Sequence, residues 1–171
     1  IYTHKKQTGG SGQFAEVKMV FEPGEPGSGV VFVDEVVGGR IPREFIPSVE
    51  FAIKAESKSG QIAGYEVLDF KARLIDGKYH DVDSSALAFE IAGRHAFREA
   101  HKLSKPKLLE PMMRIEVVTE SESLGDVIGD MNRRRGQVTD QGTKGTAAFV
   151  HGFVPLAEMF GYATNVRSMS Q

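Results

Sequence analysis

A lysine, a tyrosine and a histidine stand together at Lys78-Tyr79-His80, followed at once by Asp81, Asp83, Ser84 and Ser85. A hydroxyl one helical turn past an imidazole, with carboxylates between, contains the groups of a nucleophilic triad. No nucleophile elbow or oxyanion-hole pattern accompanies it, and serines just ahead of an apolar periodic run are helix starters, so no catalytic residue is assigned. His80, Asp81 and Asp83 also offer three metal ligands, but their spacing matches no metal motif and no metal is assigned. Recognition remains. A cation, an aromatic ring and an imidazole in succession suit phosphate neutralisation, stacking and contacts to sugar or base edges. Tyr79 serves either as a stacking ring or as an anchor of the loop into its own domain.

Two other stretches carry chemistry. Gly9-Gly10-Ser11-Gly12-Gln13 lacks the lysine and Ser/Thr of a P-loop, and no helix follows it, which excludes nucleotide hydrolysis by this segment. Gly10, Ser11 and Gly12 allow bare backbone to approach an RNA strand, with Gln13 able to bond a base edge or ribose hydroxyl; a flexible strand-entry loop explains them equally. Arg133-Arg134-Arg135 reads as a solvated helix end that suits the dipole, or as a contact to a phosphate backbone. His4, His95, His101 and His151 have no partners at ligand spacing and read as ordinary histidines.

The elements that must position these residues follow from periodicity. Val67 to Leu74 alternates as a half-buried strand and Asp76-Gly77 breaks it with turn chemistry, so Lys78, Tyr79 and His80 are expected at a tip. Asp81, Asp83 and Ser84 offer oxygens to the free amides of a helix from Ser85 to Leu103, whose stripe is Phe89, Ala92, Ala96, Ala100 and Leu103. Upstream, Phe14–Phe21 and Val30–Val37 read as a hairpin with a long Gly/Pro connection, and Pro42 opens a helix to about Ser57 with Phe45, Val49 and Ile53 inward. Lys105 to Pro111 is a boundary, because two closely spaced prolines do not fit a regular element. Beyond it, strand Met112–Val118, helix Leu124–Arg135, strand Gln137–Thr139, a turn over Gly142 to Gly145, strand Thr146–Val154 and helix Leu156–Thr164 give the order of a ferredoxin-like split βαβ sheet lacking its last strand. The expected class is α+β, in two small α/β sandwich domains: residues 1–104, a linker at 105–111, and residues 112–171.

The totals fit that division. The 171 residues are 40% apolar, enough for packed cores, and 23 acidic against 21 basic residues leave a net charge of −2, so there is no global basic field and any nucleic-acid contact must be local. Cysteine is absent, which removes disulfides, thiolate metal sites and thiol nucleophiles together. With no run of about 18 apolar residues and no leader pattern, no membrane is expected, and the chain reads as an intracellular monomer. It starts with Ile1 and stops at Gln171 without a closing element, so it reads as a piece of something longer.

Five stretches, taken together and in order, resemble elongation factor G, the bacterial-type ribosomal translocase: Lys6 to Gln13, Val37 to Ile46, Asp76 to Ser85, Gly125 to Gly136 and Val154 to Thr164. The resemblance implies that the first domain is the family's fourth, with a left-handed βαβ crossover like the second domain of a ribosomal protein, and that the second is a truncated fifth domain. It implies two tip loops, Gly10 to Gln13 and Asp76 to His80, entering the A site of the small-subunit decoding centre beside tRNA and mRNA. It places the second domain near the GTPase-associated RNA of the large subunit, with Arg133, Arg134 and Arg135 as candidate contacts. GTP and Mg belong to a G domain absent from this chain, which therefore binds and does not catalyse; no cofactor is expected here. Ser11 stands where the family often carries arginine, removing one charge from the first tip loop. The implied location is the bacterial cytoplasm, or a mitochondrial matrix or plastid stroma. The runner-up within the superfamily is a paralogue for ribosome recycling or antibiotic protection. Two readings of other classes are an enzyme using His80, Asp81 and Asp83 as an acid-base cluster, which needs a pocket around them, and a module whose incomplete sheet accepts a partner strand.

Overall fold

A computed structural model describes residues 1–7 and 12–169; the candidate residues Gly10 and Ser11 lie outside these. The chain divides into two compact units, residues 1–107 and 108–171, each an α+β sandwich with its own core.

In the first unit β1 (Tyr2–Lys6), β2 (Gln13–Pro23), β3 (Val30–Asp34) and β4 (Phe70–Lys78) form one sheet in the order β1-β2-β4-β3. α1 (Ile46–Ser57) and α2 (Ala86–Leu103) cover it. β1 goes beyond the sequence expectation, because its outward Thr3 and Lys5 make the run polar; its inward signal is Tyr2, which stacks on His95 of α2 at 5.2 Å. The expected β2–β3 hairpin does not form. β4 lies between the two strands, antiparallel to β2 and parallel to β3, with α1 as the crossover between the parallel pair. The long connection serves β4 instead: Gly24 N–H donates to the Asp69 carbonyl at 2.7 Å, and Gly29 N–H to Asp69 Oδ1 at 2.9 Å. β3 ends early at Asp34, whose carboxylate accepts from Val36 N–H.

The central strand is displaced from its expected span of Val67–Leu74 and runs to Lys78. Asp76-Gly77 is therefore no turn. Asp76 and Gly77 pair with Lys18 and Val17, after a bulge that leaves Ile75 without an opposite number. Glycine is required at position 77 by crowding: a Cβ there would fall on the Glu16 carbonyl oxygen and within 2.5 Å of Ile41 Cδ1. The helix expected from Pro42 is split into a 3-10 turn at Arg43–Phe45 and α1, since Pro47 has no N–H to give and so occupies a first turn. Val49 and Ile53 are buried as expected, while Phe45 is half-buried and stacks on buried Phe89 at 5.1 Å. On α2 the expected stripe fails at its end. Leu103 is 81% exposed, and Phe97 and His101 take the inward positions, because a strict four-residue step drifts off a face with 3.6 residues per turn.

In the second unit β5 (Met112–Glu120), β6 (Gln137–Lys144) and β7 (Ala147–Pro155) form an antiparallel sheet in the order β5-β7-β6, the split arrangement with no strand outside β5 among the described residues. β6 continues through Gly142, which pairs with Phe149, and the turn sits at Gly145, whose φ is +67°. α3 (Leu124–Arg133) stops two residues short of Arg135, which takes a left-handed φ of +59° ahead of Gly136. The expected helix Leu156–Thr164 is a 3-10 turn at Leu156–Glu158, a break at Gly161 (φ +73°), and α4 (Tyr162–Met169). Val127 and Met131 of α3 and Tyr162 of α4 share one cluster with Ile115, Val117, Val150 and Val154, so both helices cover the same face of the sheet.

Candidate nucleic-acid interface

Two segments meet where β2 begins and β4 ends. Residues 12–14 enter β2, and residues 79–85 link β4 to α2. Phe14 N–H donates to the Asp83 carbonyl at 2.8 Å, and Ser84 Oγ donates to the Phe14 carbonyl at 2.7 Å. The same Oγ accepts from His80 N–H at 2.9 Å, and Ser84 N–H donates back to the His80 carbonyl at 3.1 Å. On that frame the His80 ring stacks on the Phe14 ring, with centroids 4.0 Å apart and planes 25° from parallel. His80 stays exposed, Tyr79 is 39% exposed and Val82 is 91% exposed. Gly12 fits close to this frame, since a Cβ there would come 2.7 Å from Asp83 Oδ1.

Ser85, rather than Asp81, Asp83 or Ser84, caps α2. Its Oγ accepts from Ala88 N–H at 3.1 Å and its backbone is extended, as a helix cap requires. Ser84 Oγ is committed to two backbone groups and His80 has one face covered by Phe14, so they form a structural knot and not a nucleophile with its base.

The charges around the tip are largely paired within the protein. Lys78 Nζ lies 3.3 Å from Glu16 Oε1, and Arg40 Nε lies 2.9 Å from Asp76 Oδ1. The Gly77 N–H, bonded to Asp76 Oδ1 at 2.8 Å, together with the Arg40 guanidinium holds the Asp76 carboxyl below its ordinary range. Gln13 Oε1 lies 2.9 Å from His4 Nε2, so its carbonyl end is also occupied. This surface presents rings and hydrogen-bonding groups more than free positive charge. Phe14, His4 and Ser84 belong to it, although sequence reasoning gives them other roles. The available signal is a ring at Phe14 that falls out of step with the buried Ala15 and Val17 of β2, combined with the serine pair ahead of α2.

The three arginines are not equivalent. Arg134 is turned inward: its side chain is 13% exposed, Nε donates to Asp130 Oδ2 at 2.8 Å, Nη1 donates to the Glu158 carbonyl, and the guanidinium lies 5.0 Å over the Tyr162 ring. Arg135 makes a two-pronged pair with Glu110, at 2.7 and 3.0 Å, and reaches Glu158 at 3.3 Å. That pairing holds the Glu110 carboxyl low. Arg133 projects, with its side chain 74% exposed and a long 3.5 Å contact to Asp130.

Comparison with known proteins finds matches that together span nearly the whole chain. Residues 1–105 match the family model described as Elongation factor G, domain IV, and residues 107–171 match Elongation factor G C-terminus. The chain is 56% identical over all 171 residues to the Elongation factor G of Granulibacter bethesdensis, of which it spans 25%. A crystal structure of a protein from Thermus thermophilus superposes with a TM-score of 0.78 at 39% identity, over 99% of this chain and 25% of that one. The chain belongs to the elongation factor G family and corresponds to its domain IV and C-terminal portion.

Proposed function

We propose that this chain is the RNA-contacting part of a translation elongation factor that drives GTP-dependent movement of tRNA and mRNA on the ribosome. The observation that carries the reading is the knot at the tip, where two separated segments are fastened together to hold an exposed imidazole on a ring. In this role the tip enters the A site of the small-subunit decoding centre. His80 offers ring nitrogens to sugar or base edges, Tyr79 supplies an exposed ring for stacking, and Lys78 exchanges Glu16 for a phosphate. The side chain of Gln13 and the backbone at Gly10, Ser11 and Gly12 complete that surface. Filling the site in this way weakens the hold of the decoding centre on codon and anticodon and blocks return of the tRNA.

Arg133 is the guanidinium in position to meet large-subunit RNA, while Arg134 and Arg135 hold the second unit together. The residues here do not fit GTP and Mg, because the glycine stretch lacks the lysine and Ser/Thr of a P-loop and the chain runs from Gln13 into β2 and not into a helix. Nucleotide chemistry is assigned to another part of the factor, and no step is derived through it. No helix among the described residues is long and apolar enough to cross a membrane, and we place the protein as a monomer in a bacterial cytoplasm or an organellar matrix or stroma.

The test is time-resolved mRNA displacement on pre-translocation ribosomes with full-length factor, wild type or His80→Ala, at matched GTP turnover. Slow movement with normal GTP hydrolysis supports the tip as the working surface. Unchanged movement removes His80 from it, and intact subunit splitting in the same preparation would favour the recycling paralogue.

A further inference from the structure

We infer that Ser84 is a positioning residue that sets how His80 is presented at the tip. This rests on the reading above that the tip contacts RNA. A serine hydroxyl has one proton and two lone pairs, and here it gives the proton to Phe14 and accepts from His80. One oxygen therefore fixes the backbone on both sides of the ring stack: the strand that carries the Phe14 platform and the loop that carries the imidazole. The Phe14 backbone is gripped at both ends, by the Asp83 carbonyl on its N–H and by the Ser84 hydroxyl on its carbonyl.

Ser84 has no second duty. The cap of α2 is Ser85, so removing the Ser84 hydroxyl leaves the helix start intact. Ser84 is itself half-buried, whereas His80 is exposed, so Ser84 acts through its neighbour. Alanine lacks the bridging oxygen. Threonine keeps it.

The experiment uses full-length factor in five forms: wild type, Ser84→Ala, Ser84→Thr, His80→Ala and the His80→Ala/Ser84→Ala double variant. Three quantities are measured: mRNA displacement at saturating factor, ribosome-stimulated GTP hydrolysis, and the 13C-histidine NMR signal of His80, identified by its loss in His80→Ala. Ring-current shielding by Phe14 marks the stacked state. Ser84→Ala is expected to slow movement about five- to tenfold, as loss of one net hydrogen bond's worth of positioning implies, with GTP hydrolysis unchanged and the His80 signal moved toward its unstacked position. Ser84→Thr restores both. In the His80→Ala background the serine substitution adds no further slowing, which a role in general stability would not produce.

Equal slowing in both backgrounds overturns the assignment, as does slowing without a change in the His80 signal, or normal movement with Ser84→Ala where His80→Ala is slow. If His80→Ala itself moves mRNA normally, the reading of the tip has failed and the NMR signal decides Ser84 alone: an unshifted His80 resonance in Ser84→Ala overturns the positioning role, and an unstacked one upholds it.

Discussion

Gly77→Ala tests whether the end of β4 is set by crowding or by turn geometry. Gly77 is buried opposite Val17, and an added methyl group meets the fixed Glu16 carbonyl on one side and Ile41, 1% exposed, on the other, at 2.5 Å from Cδ1 and 2.8 Å from Cγ1. Overpacking of this kind costs about 1–3 kcal/mol, and the upper end applies where one obstacle is backbone. Removing the glycine's extra freedom in the unfolded chain returns about 0.4–1 kcal/mol. The net expectation is a loss of about 2 kcal/mol from the first unit. Hydrogen exchange of the slowest β2 and β4 amides reads that unit separately, and they should exchange about 30-fold faster. Adding Ile41→Val removes Cδ1 and should make the double variant less unstable than the sum of the two single changes. Unchanged exchange in Gly77→Ala would refute the crowding argument. Strict additivity in the double variant would show that Ile41 is not the obstacle.

Arg134→Ala should destabilise the second unit by about 3 kcal/mol, because it strands the buried Asp130 carboxylate and uncovers Tyr162; Arg133→Ala should change stability by less than about 0.5 kcal/mol, and thermal unfolding of the two variants compares them. Phe89→Ala removes a fully buried ring that stacks on Phe45 and should cost about 3–5 kcal/mol, measured by urea unfolding. The Asp69 carboxyl is held low by the N–H groups of Gly27 and Gly29. Its folded pKa lies below its unfolded value, so the stability it adds is complete above about pH 4 and is lost as pH falls through the lower folded value. Asp69→Asn should flatten the acid side of a stability-against-pH curve, and since Asn also tolerates the left-handed backbone at this position (φ +53°), the change isolates the charge. An acid limb as steep as wild type would remove Asp69 as a cause.

Much of the architecture was legible in the sequence because periodicity reports burial. The inward positions of β2, the second sheet and α2 as far as Ala96 follow the alternation and the helical stripe, and the Pro106–Pro111 stretch reads as irregular. Pairing was less legible. Nothing local in Val30–Val33 tells whether it lies beside β2 or accepts β4 between them; its partners are Phe70–Leu74, far along the chain, and Asp69 just before them bonds the connection. Asp76-Gly77 misled because glycine serves close approach as well as turns, and only the position of Ile41 separates the two. Of the candidate interface, the cluster at residues 78–80 was evident from residue types. Its fastening was not, since Phe14 and Ser84 are separated by most of the first unit and each has a sufficient local explanation. The arginine run likewise reads as one basic patch until Asp130, Glu110 and Glu158 are found beside it.

The central place of β4 in the first sheet governs how this chain acquires structure during its own synthesis. Pro23 must wait for Phe70 and Glu16 for Lys78, and β3 has no partner at all until β4 has been made. Only the β1–β2 pairing is local within that sheet, so for most of the translation of the first unit its strands emerge with open edges. Sheets closed by such distant pairings assemble slowly. The unit therefore becomes protected against strand-mediated association late and all at once, when the residues that precede the tip leave the ribosome that is making them.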